Sequence, residues 1–377
     1  MKKTLAAVAV LGAFAGSALA ADVTFYGKVD LGLGYLHQEV GSVETDDMSL
    51  NSGSGSSSRF GLKGSEQISE GLTVGFQLEH GFKADQQEST KLFSREMRLY
   101  VASDFGTLHM GRFGGLDSTT GSVSVASSLY SMGGGYGTES LGGCGVVVHK
   151  PSRMANSIAY VSPEFGGVKV SAMASLGEDY NKLSDPSIKV EKVDGKDVPT
   201  YVKPTTVASG KEGSSDVDRY YALGLKGQWG GLGAGLVFSM EDFGSEGESA
   251  DHDNSKNVTA GVNYDFGFAK TFLAANWYDN GADLEQTGVV VGLEAPLPVG
   301  SMEFQAGYGK VKDSSKRVKD VAQEDAKAFV VGGLYKYPLS KRTYLYTAAG
   351  YQEKNYDDKA QDDTKTIEAV AGLVHNF

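Results

Sequence analysis

Lys28, Arg59, Arg98 and Arg153 all fall on the polar parity of the alternating stretches that contain them, and Lys63 follows Arg59 on the same parity. Cations repeated along one face make no bonds. They act at a distance, drawing anions, repelling cations and orienting water. Taken singly, each reads equally well as a solvated charge on a wet surface. Tyr100 and Asp30 share that parity and can support the group. Arg112 closes a run of the opposite parity, so its direction is left open.

No other chemistry competes with this electrostatic one. His37, His80, His109, His149, His252 and His375 show no metal-ligand spacing, and Asp251-His252-Asp253-Asn254 reads as an acidic loop tip. Gly231-Leu232-Gly233-Ala234-Gly235 lacks the strand-to-helix setting of a dinucleotide fingerprint. A single cysteine, Cys144, excludes an intrachain disulfide and a multi-cysteine zinc site. No nucleophile–base pattern can be placed and no cofactor is called for, so an enzyme is not expected. A net charge of −12 lacks the basic footprint that nucleic-acid binding needs.

Those cations have to be positioned by strands. The 377 residues include 51 Gly, 19 Tyr and 17 Phe against 2 Trp, a balance that suits sheets. Met1-Lys2-Lys3, an apolar run from Leu5 to Phe14 and Ala18-Leu19-Ala20 form a secretory signal peptide over 1–20, too short to span a bilayer. Its removal takes away Lys2 and Lys3, bringing the charge to −14 for a single domain over 21–377. Beyond it, no stretch reaches the roughly 18 apolar residues that a membrane helix requires.

Period-two alternation begins at once. Val23, Phe25, Val29, Leu31, Leu33 and Tyr35 take one face, while Thr24, Lys28, Asp30, Gly32 and Gly34 take the other. The pattern returns through Leu72–Leu78, Leu232–Phe238, Met302–Tyr308 and finally Ile367–Phe377, giving sixteen strands. Tight turns near 67–71, 104–106, 163–166, 230–231, 267, 296–300 and 338–342 alternate with long polar stretches near 38–57, 83–92, 114–152, 176–218, 241–257, 279–286, 312–327 and 352–366. Short and long connections in alternation define an antiparallel meander whose long loops share one end. One face is apolar with no second sheet to pack on. The other is rich in Gly, Ser, Thr, Gln and charge, and is not expected to form a dry core. A closed barrel in lipid satisfies both faces and every backbone group, and sixteen strands leave an aqueous lumen. The expected fold is therefore an all-β, 16-stranded antiparallel transmembrane β-barrel. Its acids concentrate in the long loops, leaving the wall slightly basic.

Several motifs carry a resemblance across the mature chain. They are Asp22-Val23-Thr24-Phe25-Tyr26-Gly27, Ser58-Arg59-Phe60-Gly61-Leu62-Lys63-Gly64, Phe105-Gly106-Thr107 through Gly111-Arg112, Arg153 through Gly167, Leu339-Ser340-Lys341-Arg342-Thr343 and Gly372-Leu373-Val374-His375-Asn376-Phe377. In these the sequence resembles the Gram-negative general porins of the neisserial and β-proteobacterial type. The resemblance implies a homotrimer in the outer membrane, each barrel folding its third loop, here 114–152, into its own pore. Asp117 and Glu139 are that loop's acids and would face Lys28, Arg59, Lys63, Arg98 and Arg153 across a constriction. The loop departs from the family in its Gly133-Gly134-Gly135 and Gly142-Gly143, and Val374 stands where the family often has Arg.

The sequence thus leads to a passive, water-filled channel for small hydrophilic solutes and ions with a mild anion preference. Rival readings are a substrate-selective channel and a surface adhesin or structural barrel. Expected partners are further copies of itself, outer-membrane lipid and lipopolysaccharide, whose phosphates divalent cations would bridge to the acidic rim; a purely solubilising fringe explains that rim as well. Phe377, on the apolar face of the last strand, is the expected assembly signal.

Overall fold

A computed structural model describes residues 23–377 apart from 87–90, 133–140, 142, 144, 146, 150–152, 178–179, 184–186, 194–195, 203–205, 211–217, 243–252, 283, 314–324 and 358–361. The first strands are β1 (Thr24–Val40), β2 (Val43–Ser52), β3 (Arg59–Ser69), β4 (Leu72–Gly81), β5 (Glu96–Ser103) and β6 (Gly106–Gly114). After a long loop come β7 (Arg153–Val161) and β8 (Val168–Ser175). Four short strands follow: β9 (Tyr180–Leu183), β10 (Ser187–Val193), β11 (Lys196–Val202) and β12 (Thr206–Gly210). The barrel resumes with β13 (Arg219–Trp229), β14 (Leu232–Asp242), β15 (Ser255–Asp265), β16 (Lys270–Asp279) and β17 (Leu284–Pro296). It ends with β18 (Ser301–Asp313), β19 (Ala326–Pro338), β20 (Thr343–Tyr356) and β21 (Thr364–Asn376).

Every neighbour is antiparallel, and β21 returns to β1 over the register Lys28↔Asn376 to Val40↔Thr364. The barrel is therefore closed, with no sheet edge left in lipid. β2 and β3 pair in succession with β1 and together make one barrel strand, while β9–β12 pair only among themselves. The wall has sixteen strands, as the alternation indicates. Among the described residues no helix is long and apolar enough to cross a membrane.

The outer face is apolar because one parity carries it. Leu33, Leu99, Leu223, Leu236, Val289, Phe304 and Leu373 are all exposed there. Aromatic residues band this surface at two heights, Tyr221, Phe238, Tyr308 and Phe329 above and Trp229, Tyr264, Phe268 and Tyr337 below. Amphipathic rings favour the two membrane–water interfaces, so the belts mark where the bilayer ends.

Two expectations need correction. Residues 38–57 are not a long loop: β1 runs to Val40, turns at Gly41-Ser42 and returns as β2. Only Met48 and Leu50 carry the apolar parity in β2, and the interruption at 53–58 breaks its period, so the strand is invisible to a periodicity test. The inner face, second, is not uniformly wet. On β13–β21 it carries Ala222, Val237, Ala274, Val290, Val330, Leu334, Ala348, Val370 and Val374, all buried. What buries them is the loop between β6 and β7.

Candidate functional site

The inner wall of β1, β3, β4 and β5 is a ladder of polar side chains fixed by register. Lys28 lies opposite Arg59, Gly61 opposite Glu79, Glu79 opposite Glu96, Gln77 opposite Arg98, and Tyr100 opposite His109. Facing residues on one side of an antiparallel pair approach closely enough to interact directly. Glu79 therefore accepts from Arg95 Nε at 2.7 Å and from Tyr26 OH at 3.0 Å, with Arg59 Nε 3.5 Å away. Arg98 sits 3.7 Å from Glu96 and donates to Gln77 Oε1 at 2.7 Å and to His109 Nδ1 at 2.8 Å. A guanidinium can only donate, so His109 accepts through an unprotonated Nδ1. Gln77 closes the network by donating to Tyr26 OH at 2.9 Å.

The loop that follows β6 leaves this wall, and its described residues pack on the inner face of β13–β21. Leu116, Val123 and Val125 join Tyr220, Ala222 and Val237 in one buried cluster. Leu129, Tyr130, Val147 and Val148 join Ala274, Val290 and Val330 in a second. Met132 and Leu141 meet Leu334, Tyr346, Ala348, Val370 and Val374 in a third. Polar anchors fix its height. Met132 exchanges two backbone bonds with the amide of Gln305, at 3.2 and 3.1 Å, and Ser131 Oγ donates to Phe304 O at 2.8 Å. His149 stacks on Tyr278 with ring centroids 3.7 Å apart, and its backbone N–H donates to Asn276 Oδ1 at 2.9 Å. Gly288 permits the close approach of the Val147 carbonyl, which lies where any Cβ would stand.

This packing accounts for Val374. Wholly buried beside Met132 and Leu141, it faces the loop and not water. An arginine there would be too large for that packing, and overpacking costs about 1–3 kcal/mol.

Of the residues singled out by sequence, the structure gathers Lys28, Arg59, Lys63 and Arg98 on one stretch of wall. Lys63 is exposed, its Nζ 5.3 Å from the Tyr26 ring centroid. Lys28 donates to Ser56 Oγ at 3.2 Å; neither lysine has a carboxylate within ion-pair distance among the described residues. Arg153 lies further round, 3.5 Å from Thr120 Oγ1 of the loop. It lines a cavity of about 300 Å³ with Arg112, Asp218, Tyr220 and Glu241. Arg112 sits at a break in the β6–β7 register between Gly111 and Phe113, and its Nε donates to Ser94 O at 3.4 Å. Asp117 is not opposite the cations. Only 2% exposed, it accepts from Tyr220 OH at 2.6 Å, from Asn257 Nδ2 at 2.7 Å and from Ser239 Oγ. Its carboxylate is an anchor of the loop on β13–β15. Glu139 lies outside the described residues, as does Cys144.

The residues that sequence reasoning missed are Glu79, Arg95 and Glu96. Parity would have found Glu79 and Glu96, which share the faces of Gln77 and Arg98. Glu96 also docks the loop, accepting from Ser122 N at 2.8 Å and Ser122 Oγ at 2.5 Å.

A closed barrel, apolar outside, belted by aromatics and lined by a charged ladder, is the build of an outer-membrane channel. Described residues of its long loop pack on the inner face of β13–β21. The chain matches the Gram-negative porin family over residues 6–358 and belongs to that family. It is 28% identical to an outer membrane porin protein of Bordetella pertussis over 100% of both chains. In fold it resembles the anion-selective porin from Comamonas acidovorans, with a TM-score of 0.68 at 20% identity, covering 95% of this chain and 100% of that one. It likewise resembles the trimer form of OmpT, an outer membrane protein of Vibrio cholerae, with a TM-score of 0.61 at 14% identity over 95% and 100%.

Proposed function

We propose that this porin passes small hydrophilic solutes and ions down their gradients with a mild preference for anions, filtered between the wall of β1–β5 and the loop 114–152. One observation carries the preference. Arg59, Arg95 and Arg98 share two carboxylates, Glu79 and Glu96, while Lys28 and Lys63 have none within ion-pair distance among the described residues. The wall is cationic after its ion pairs are formed. Arg59 and Arg98 therefore contribute less than their number suggests, and Lys28, Lys63 and Arg153 contribute more. Opposing anions do not come from Asp117, whose oxygens are occupied.

The same reading includes three further proposals. Residues 1–20 direct export, leaving 21–377 as one barrel domain. The barrel assembles as a homotrimer, which its likeness in fold to a trimeric barrel supports. Phe377 is an assembly signal: its backbone exchanges bonds with Gly27 at 3.1 and 3.0 Å and its ring lies 5.6 Å from Phe25, so it completes closure of the last strand on the first.

Single-channel current in a planar bilayer under a salt gradient tests the function. Steps grouped in threes with an anion-favouring reversal potential are expected. A cation-favouring potential would remove the selectivity assigned to Lys28, Lys63 and Arg153. Folded protein without steps would leave a surface-binding role as the better reading.

A further inference from the structure

Between Leu31 and Lys28, β1 advances three residues, whereas its partner advances seven, from Ser52 opposite Leu31 to Arg59 opposite Lys28. Four residues more than the sheet can hold must leave the wall. They leave it inward. Asp30, which belongs to the inner parity and is fully buried, accepts Gly55 N at 2.8 Å and Ser56 N at 2.6 Å on one oxygen, and Tyr346 OH at 2.8 Å on the other. Ser58 Oγ adds bonds to both backbone groups of Asp30, accepting from its N–H at 3.0 Å and donating to its carbonyl at 3.2 Å. Gly55 lies flat on the Tyr346 ring, where a Cβ would come within 2.8 Å of the ring.

Tyr346 also touches Met132 and Leu141 in the third buried cluster. The segment 53–58 thus lies beside the far end of the loop after β6, on the arc of wall between that loop and the cationic ladder. Its hydroxyls and carbonyls are turned toward the ladder: Ser56 Oγ accepts from Lys28 Nζ at 3.2 Å and Ser57 O accepts from Arg59 Nη1 at 3.2 Å. Lys28, Ser56 and Ser57 are all partly open to solvent.

We propose that residues 53–58 form a second constriction, a ledge latched by Asp30 and Tyr346, which with Lys28 and Ser56 makes a recognition step for oxyanions such as carboxylates and phosphates. The ammonium of Lys28 has three donors and uses one on Ser56, leaving two for a passing oxyanion, while the Ser56 hydroxyl is free to donate. A compact oxyanion gains charge-assisted bonds there that chloride does not match in geometry. This rests on the anion-favouring pore above and adds to it a class of solute.

The test uses the full chain, purified folded and measured in planar bilayers in potassium chloride with inorganic phosphate added as the probe. Three variants separate the parts: excision of Gly53–Ser56, which leaves Ser52-Ser57-Ser58-Arg59 in continuous register with Leu31 to Lys28; Asp30→Asn, which keeps the length and weakens the latch; and Lys28→Gln. Excision and Asp30→Asn are expected to raise unitary conductance, and excision and Lys28→Gln to weaken phosphate block by about ten-fold, the loss of one charge-assisted bond. Unchanged conductance and block in the length-preserving variants overturn the ledge, even if the excised chain does not fold. Raised conductance with unaltered block overturns the oxyanion step. The reversal potential of the unaltered protein is read separately, so a cation-favouring value overturns the parent reading without deciding whether the ledge narrows the pore.

Discussion

Glu79→Gln removes the carboxylate that Arg59 and Arg95 share; its one carbonyl oxygen keeps the 2.7 Å bond from Arg95, and its amide nitrogen takes the place of the oxygen that accepts the 3.0 Å bond from Tyr26. The wall gains one net positive charge with little change of shape. At roughly 6 Å from a permeating ion in water, one charge is worth about 0.7 kcal/mol before screening. A Debye length of about 10 Å at 0.1 M salt reduces this to about 0.4 kcal/mol. Anions are then enriched about two-fold and cations depleted about two-fold, so the anion-to-cation permeability ratio rises roughly three- to four-fold. At 1 M salt, with a Debye length of about 3 Å, the change shrinks to less than about 1.5-fold. Reversal potentials under a salt gradient, measured for both proteins at both ionic strengths, give the ratio directly. An unchanged ratio at 0.1 M, or an effect that does not collapse at 1 M, would refute the claim that Glu79 neutralises part of the selectivity-bearing wall.

Asp117→Ala strips the acceptor from Tyr220, Ser239 and Asn257 in a buried setting, at about 1–3 kcal/mol for each donor left without a partner. A lower thermal midpoint in detergent and noisier open-channel current are expected; an unaltered midpoint would show that the loop needs no such anchor. Gly288→Ala places a Cβ on the Val147 carbonyl, so the loop must shift at an overpacking cost of about 1–3 kcal/mol. Unitary conductance should change while the circular-dichroism signature of the barrel does not. Outside the membrane-spanning part of β1, His37 bonds Asp46 at 3.0 Å and Glu39 at 3.5 Å, and these carboxylates, Asp46 first, raise it above its ordinary 6.5. Its contribution is complete below pH 6.5 and is lost as pH rises through the raised value. Asp46, held below its ordinary 3.8 by Tyr35 and His37, contributes above pH 3.8 and is lost as pH falls through its lowered value. The β1–β2 tip is therefore firmest between those limits. A proton NMR titration of His37 in micelles should show the raised midpoint, and Asp46→Asn should bring it back toward 6.5.

Much of the barrel is legible locally. Phe25, Leu31 and Leu33 alternate with Lys28, Asp30 and Gly32 because a strand places neighbours on opposite faces, and Gly230-Gly231 or Gly267 between two such runs permits only a turn. The same rule fails for β2, where only Met48 and Leu50 carry the apolar parity and the ledge interrupts the alternation before Phe60. It also misjudges the inner face of β13–β21. Ala222, Val290 and Val374 are apolar there because a loop more than seventy residues away in the chain covers each of them.

By itself the sequence determined that the chain alternates into sixteen strands and that one parity faces lipid while the other carries charge. These properties are local, set by composition and by a period of two. Only the tertiary structure decided which charges remain free. Whether Arg59 meets Glu79, Arg98 meets Glu96 or Asp117 turns away to Tyr220 depends on register between strands and on where the loop comes to rest. Those are relations between distant segments, and ion pairing is a matter of a few ångströms between side-chain ends that no local pattern encodes.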